Sequence, residues 1–176
     1  MATEQSKILQ GLETAIRMEN DGKQFYLKAS HSSHNEMGKK LLKSLADEED
    51  NHRQTFEKIY EAVRNKKNWP RVDFHPDGGK KLNTIFAQAI GEIATPSKSY
   101  TTELDDVKTA LDMESKTYDF YKAQSKAAGG DTERDFYESL AAQERTHHQV
   151  LLDYYEYLED PAAWFVNKEH PILDGG

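Results

Sequence analysis

The sequence contains no cysteine. That excludes disulfides, thiolate zinc sites, iron–sulfur clusters and any four-cysteine iron centre within the chain, so a metal would have to sit on oxygen and nitrogen ligands. Long apolar runs are also missing. Nothing approaches the roughly 18 residues of a membrane span. The N-terminal stretch MATEQSKILQGLE has neither the basic start nor the apolar core of a signal peptide. A soluble, cytoplasmic protein with no membrane partner is the expectation. Basic residues are in deficit, 23 Lys and Arg against 31 Asp and Glu for a net charge of -8, which argues against nucleic acid as a partner. The one basic cluster, Arg64 to Lys67, reads as a solvated helix end.

What is present is periodicity. With 31% charged residues and a mean hydropathy of -0.89, the chain can build a core only if its apolar residues share faces, and they do. Four long helical patterns run over about 5–32, 36–66, 101–128 and 132–158. Gly129-Gly130 ends the third, and Asp131 is placed to cap the fourth. Between the second and third lie residues 68–100, which hold three of the five prolines and one short helical pattern near 79–90. Helix joins in simple hairpin bundles take about 2–8 residues. One long crossover is instead the ferritin-like arrangement. The expected fold is therefore an all-α four-helix bundle over residues 1–160. A tail over 161–176 would pack Trp164, Phe165, Ile172 and Leu173 on the bundle or a partner subunit.

The chain also repeats itself. A shift of 95 residues aligns AIRMENDGKQFYLKAS at 15–30 with ALDMESKTYDFYKAQS at 110–125. The same shift aligns SLADEEDNHRQTFEKIYE at 44–61 with SLAAQERTHHQVLLDYYE at 139–156, with eight of 18 positions identical. Two matches at one offset indicate a duplicated helix pair.

Each pattern has a seam of alternating three- and four-residue steps. The seams run Ile8, Leu12, Ala15, Glu19, Gly22, Tyr26, Ala29 in the first helix and Leu42, Leu45, Glu49, His52, Phe56, Ile59, Val63 in the second. In the third they run Leu104, Val107, Leu111, Glu114, Tyr118, Tyr121, Ser125, and in the fourth Tyr137, Leu140, Glu144, His147, Leu151, Tyr154, Leu158. Four carboxylates thus fall on core positions, where unpaired they would take up protons and where charged they would repel one another. Two divalent cations remove both penalties. Glu49 with His52, and Glu144 with His147, are E-x-x-H pairs whose members share a helix face. Adding Glu19 and Glu114 gives the di-iron bundle pattern of two single Glu and two Glu-x-x-His helices. Glu49 and Glu144 are assigned as bridging, Glu19 and Glu114 as terminal. Two iron ions are expected, and manganese or mixed manganese and iron remain open because these ligands suit both.

Other polar residues receive plainer readings. Asp47, Glu48 and Asp50 fall off the seam and read as a solvated acidic face. His148 points about 100° from His147 and reads as a surface or outer-sphere group. His31, His34, His75 and His170 read as loop or surface residues. Tyr26, Tyr118 and Tyr121 lie within reach of the site, as core packing or as a redox relay.

In AIRMENDGKQFY, DEEDNHRQTF, ALDMESKTYDFY, AAQERTHHQV and the tail WFVNKEHPILDGG, the chain resembles the rubrerythrin branch of the ferritin-like superfamily, in the short form without a rubredoxin domain. The resemblance spans essentially the whole length. It implies a non-haem di-iron oxidoreductase that reacts with hydrogen peroxide or dioxygen in oxidative-stress defence, with Glu19, Glu49, His52, Glu114, Glu144 and His147 as the metal ligands. Beyond these ligands no separate catalytic residue is assigned. The chain departs from rubrerythrins proper in lacking their extra carboxylate on the third helix: Leu111 and Thr117 stand one turn either side of Glu114. The ligand set is in that respect closer to bacterioferritin's, and electrons would come from a separate donor protein such as a rubredoxin. Ferrous-iron oxidation and handling, or a structural metal-binding bundle, are the alternatives. A homodimer is expected, with a crossover long enough to exchange helix pairs between chains.

Overall fold

A computed structural model describes residues 3–65, 68–90 and 101–169. Its elements are α1 (Glu4–Ser32), α2 (Glu36–Arg64), α3 (Lys80–Ile90), α4 (Thr101–Ala127), α5 (Asp131–Glu159) and α6 (Pro161–Glu169). The four long helices and the short crossover helix fall within two residues of the predicted bounds. α6 is a further helix, formed within the stretch expected as a tail.

Local chemistry sets the ends. Thr3 caps α1 by accepting from the Ser6 amide at 3.2 Å, and Asn35 caps α2 by accepting from the Met37 amide at 3.0 Å. The expected cap at Asp131 is displaced by one residue. Gly130 holds the extended cap conformation and makes no side-chain cap bond, while Asp131 enters the first turn and pairs with Arg134 at 2.7 Å. Asp77 starts α3, accepting from the amides of Gly79 at 2.7 Å and Lys81 at 3.0 Å. Gly79 has φ +78°, and a Cβ there would collide with Thr146 of α5. A glycine is therefore what lets the crossover lie on α5.

α1 packs along α2 and α4 along α5 as two hairpins, which meet face to face around a polar centre. Apolar clusters close the two ends. One gathers Leu41, Leu45, Leu151 and Tyr154, the other Leu12, Phe56, Ile59 and Leu140. Each such leucine or isoleucine, fully buried, contributes about 1.5–3 kcal/mol. Crossover residues Trp69 and Phe74 pack on Phe136 at 6.0 and 5.6 Å between ring centres. In α6, Trp164 packs on Phe86 and Tyr157 at 5.3 and 6.0 Å. Phe165's side chain, Ile172, Leu173 and His170 lie outside what is described. The result is an all-α, ferritin-like bundle with one long crossover, and no described helix is long and apolar enough to cross a membrane.

The seams of α2 and α5 are buried throughout. That of α4 is not. Leu104, Leu111 and Tyr118 are only partly buried, and Ala110 is fully enclosed instead. A strict heptad drifts about 20° per repeat against a straight helix, and here α4 turns Tyr118 toward an open cavity.

Candidate metal centre

Glu19, Glu49, His52, Glu114, Glu144 and His147 all converge between the apolar clusters, and none is more than 3% exposed. One chain supplies all six. They form two overlapping groups, Glu19, Glu49, His52 and Glu144, and Glu49, Glu114, Glu144 and His147, with candidate ligand atoms in each group within 4.8 Å of one another. Glu49 and Glu144 belong to both. His52 Nδ1 lies 3.2 Å from Glu19 and 3.4 Å from Glu144, and His147 Nδ1 lies 3.2 Å from Glu49 and 3.5 Å from Glu114. The two imidazoles are near parallel, at 11° and 5.8 Å between centres.

The two tyrosines of the repeat act reciprocally. Tyr26 of α1 donates its hydroxyl to Glu114 of α4, and Tyr121 of α4 donates to Glu19 of α1. Each fixes the carboxylate of the opposite hairpin. Tyr118 makes no such bond; it lines a cavity of about 300 Å³ with Glu114, Glu144, Arg145 and His148. Thr117, where a further carboxylate would stand, turns its hydroxyl back to the Met113 carbonyl at 3.0 Å.

Electrostatics follow from enclosure. Burial pushes Glu19 up to about 7 despite the Tyr121 hydroxyl. It raises Glu49 and Glu144 well above the carboxylate range, with the neighbouring carboxylates adding to the effect. Burial lowers His52, and works to lower His147 too. There, however, Glu114, Glu48 and Glu49 outweigh it and lift the imidazole well above its ordinary value. Burial also works to raise Glu114, but the adjacent His147 leaves it below its usual range.

Glu48 is the residue that reading by seam misplaced. Its side chain is only 13% exposed, and it accepts from His147 Nε2 at 2.9 Å and from Gln143 Nε2 at 2.8 Å. The signal was in the repeat, since Glu48 and Gln143 are equivalent positions immediately before the Glu of each E-x-x-H. Asp50 is likewise engaged, pairing with Lys23 and Arg53 at 2.9 Å. Asp47 is exposed, as expected, and His148 is half-buried at the cavity wall. Phe74, which no motif marked, lays its edge over His52 at 5.6 Å between ring centres.

The donor set fits divalent cations. Glu49 Oε1, Glu114 Oε2, Glu144 Oε1 and His147 Nδ1 are buried without a hydrogen-bond partner among the described residues. Such groups are costly unless something binds them. Two divalent ions would neutralise four carboxylates, and hard oxygen with imidazole suits iron or manganese.

Fold and cluster together define a four-helix bundle whose buried carboxylates and imidazoles could hold metal. The rubrerythrin family model matches residues 10–155 of the 176, and the chain belongs to that family. No curated protein and no solved structure matches it.

Proposed function

We propose that this protein is a di-iron oxidoreductase that reduces hydrogen peroxide or dioxygen, taking electrons from a separate donor protein. The observation that carries the reading is the pair of overlapping buried groups that share Glu49 and Glu144, in a chain of this family. Glu19, Glu49, Glu144 and His52 would hold one ion, and Glu49, Glu114, Glu144 and His147 the other. Bound ferrous ions would supply the electrons and the Lewis acidity needed to break an O–O bond. The chain's own residues prepare the site. Tyr26 and Tyr121 hold Glu114 and Glu19 in place, and the apolar clusters close the two ends of the site. The cavity reaching Glu114 and Glu144 gives a small oxidant access, with the Tyr118 hydroxyl and the His148 ring as proton-bearing groups along its wall.

The test is anaerobic reduction of the iron-loaded protein, followed by separate mixing with peroxide and oxygen while the optical spectrum is recorded. Faster oxidation by peroxide is expected. If peroxide is no faster than oxygen, the peroxidase form of the reading is lost.

A second reading, iron handling, has one observation in its favour. A cleft of about 330 Å³ on the crossover side is lined by Glu48, Asp73, His75 and Asp77, with His52 in its wall, a carboxylate-rich approach for a ferrous cation. Isotope-labelled iron retained through many turnovers would eliminate that role.

Gly22 supplies a local test. A Cβ there would stand 3.1 Å from Glu49 Oε2, so Glu49 would have to give way. Gly22→Ala is expected to favour helix α1 by about 1 kcal/mol while weakening metal binding about ten-fold. Metal titration and metal-free thermal melting read the two effects separately, and unchanged affinity would mean Glu49 is not a ligand in its present position.

A further inference from the structure

The cluster obeys the repeat in its innermost groups. At the offset of 95 residues, Glu19 matches Glu114, Glu49 matches Glu144, His52 matches His147 and Tyr26 matches Tyr121. Symmetry fails directly behind the histidines, where Glu48 in α2 corresponds to Gln143 in α5. Glu48 Oε2 stands 2.9 Å from His147 Nε2, whereas Gln143 stands beside His52. One imidazole is backed by a carboxylate, whereas the outer nitrogen of the other, His52 Nε2, has only the neutral Gln143 side chain nearby and no hydrogen-bond partner among the described residues.

A carboxylate has no proton to give, so His147 Nε2 is the donor in that contact, and in the neutral imidazole that a metal would bind the lone pair is left on Nδ1. Nδ1 is the atom facing Glu49 and Glu114. A charged acceptor behind an imidazole makes a bond about twice as strong as a neutral one and raises the basicity of the nitrogen that faces a metal. Gln143 donates its amide nitrogen to the same Glu48 oxygen at 2.8 Å, which ties the two outer groups together and leaves an amide oxygen as the only acceptor that Gln143 has. The tyrosine bonds are reciprocal and so cannot create a difference between the halves.

We propose that Glu48 is a positioning residue that makes the two metal positions unequal. It holds His147 as the stronger donor, so that the group of Glu49, Glu114, Glu144 and His147 binds the first divalent ion and the His52 group binds the second. The proposal rests on the reading of the cluster as a two-metal centre.

The experiment is an anaerobic titration of the metal-free full-length chain with cobalt(II), followed by calorimetry and by the visible bands of the bound ion. The wild type is expected to fill in two steps. Glu48→Gln keeps the shape and an acceptor oxygen but removes the charge. It should weaken the first step by about 10–100-fold and draw the two steps together. Gln143→Glu should bring them together from the other side by strengthening the second step, and it tests the same idea if Glu48→Gln fails to fold. Wild-type binding in two steps with Glu48→Gln unchanged would overturn the proposal alone, as would a single step of equivalent sites. No cobalt binding by the folded wild type would overturn the two-metal reading and this proposal with it.

Discussion

Glu144→Leu is expected to strip both metal ions from the protein and, at the same time, to stabilise the metal-free bundle at neutral pH. The first effect follows from sharing. Glu144 is one of the two carboxylates common to both groups, with oxygens 3.4 Å from His52 Nδ1 and 3.9 Å from His147 Nδ1. Loss of an outer partner of a metal ligand costs about 10–100-fold in affinity, and loss of a shared ligand should exceed the upper end of that range at both positions. The second effect follows from burial. Glu144 is 1% exposed and surrounded by Glu19, Glu49 and Glu114, all of which oppose its ionisation. An apolar side chain of similar volume removes a buried ionisable group, a kind of exchange that has stabilised other proteins by about 1–4 kcal/mol. Metal content per chain after gel filtration, and urea unfolding in the presence of chelator, measure the two effects. Glu19→Leu is the comparison, expected to lose only the ion of the His52 group. If Glu144→Leu also loses just one ion, Glu144 is a terminal ligand rather than a shared one.

Metal removal should lower the melting temperature and reverse its dependence on pH. Free Mn²⁺ at about a thousand times its Kd stabilises a folded protein by about 4 kcal/mol per site, which for a chain of 176 residues is about 8–16 °C. In the metal-free protein, burial raises Glu19 to about 7 and Glu49 and Glu144 well above the carboxylate range. The folded state then binds more protons than the unfolded chain from about pH 4.5 upward, so stability falls as pH rises through that window. His147, raised in the folded state, contributes in the same sense above its ordinary value. His52, lowered by burial, contributes in the opposite sense, and Glu114, also lowered, has already given its full contribution by about pH 4.5. Three carboxylates and one histidine outweigh His52, so the metal-free melting temperature should fall between about pH 5 and pH 8. Metal competes with those protons, so the loaded protein should gain stability over the same range. A metal-free melting temperature that stays flat across the window would mean that the carboxylates ionise without penalty.

The positions of the long helices were legible because period, caps and breakers agree. Glu49 and His52 are three apart on a seam that already contains Leu45 and Phe56, so the face they share needs no tertiary information. The repeat extended that argument from one hairpin to the other. Reading by seam failed where a residue lies just beyond the buried stripe of its own helix. Glu48 was assigned to solvent because it sits beside the seam of α2, yet the approach of α5 brings His147 and Gln143 against it. Helical period reports which face is buried; it does not report which neighbour covers the flank. Tyr118 shows the converse, since α4 leaves its stripe partly open at the cavity.

By itself the sequence determined that this chain is an all-helical bundle with two related halves, and that four glutamates and two histidines fall on its inner faces. Those are consequences of spacing along single helices, which 1.5 Å of rise and 100° of turn per residue dictate. Only the tertiary structure decided how the halves meet: that Tyr26 and Tyr121 reach across to the opposite glutamates, that Phe74 covers His52, and that Glu48 stands behind His147. These contacts join residues on different elements, and their geometry depends on how the two hairpins and the crossover dock, which no periodicity within a single helix encodes.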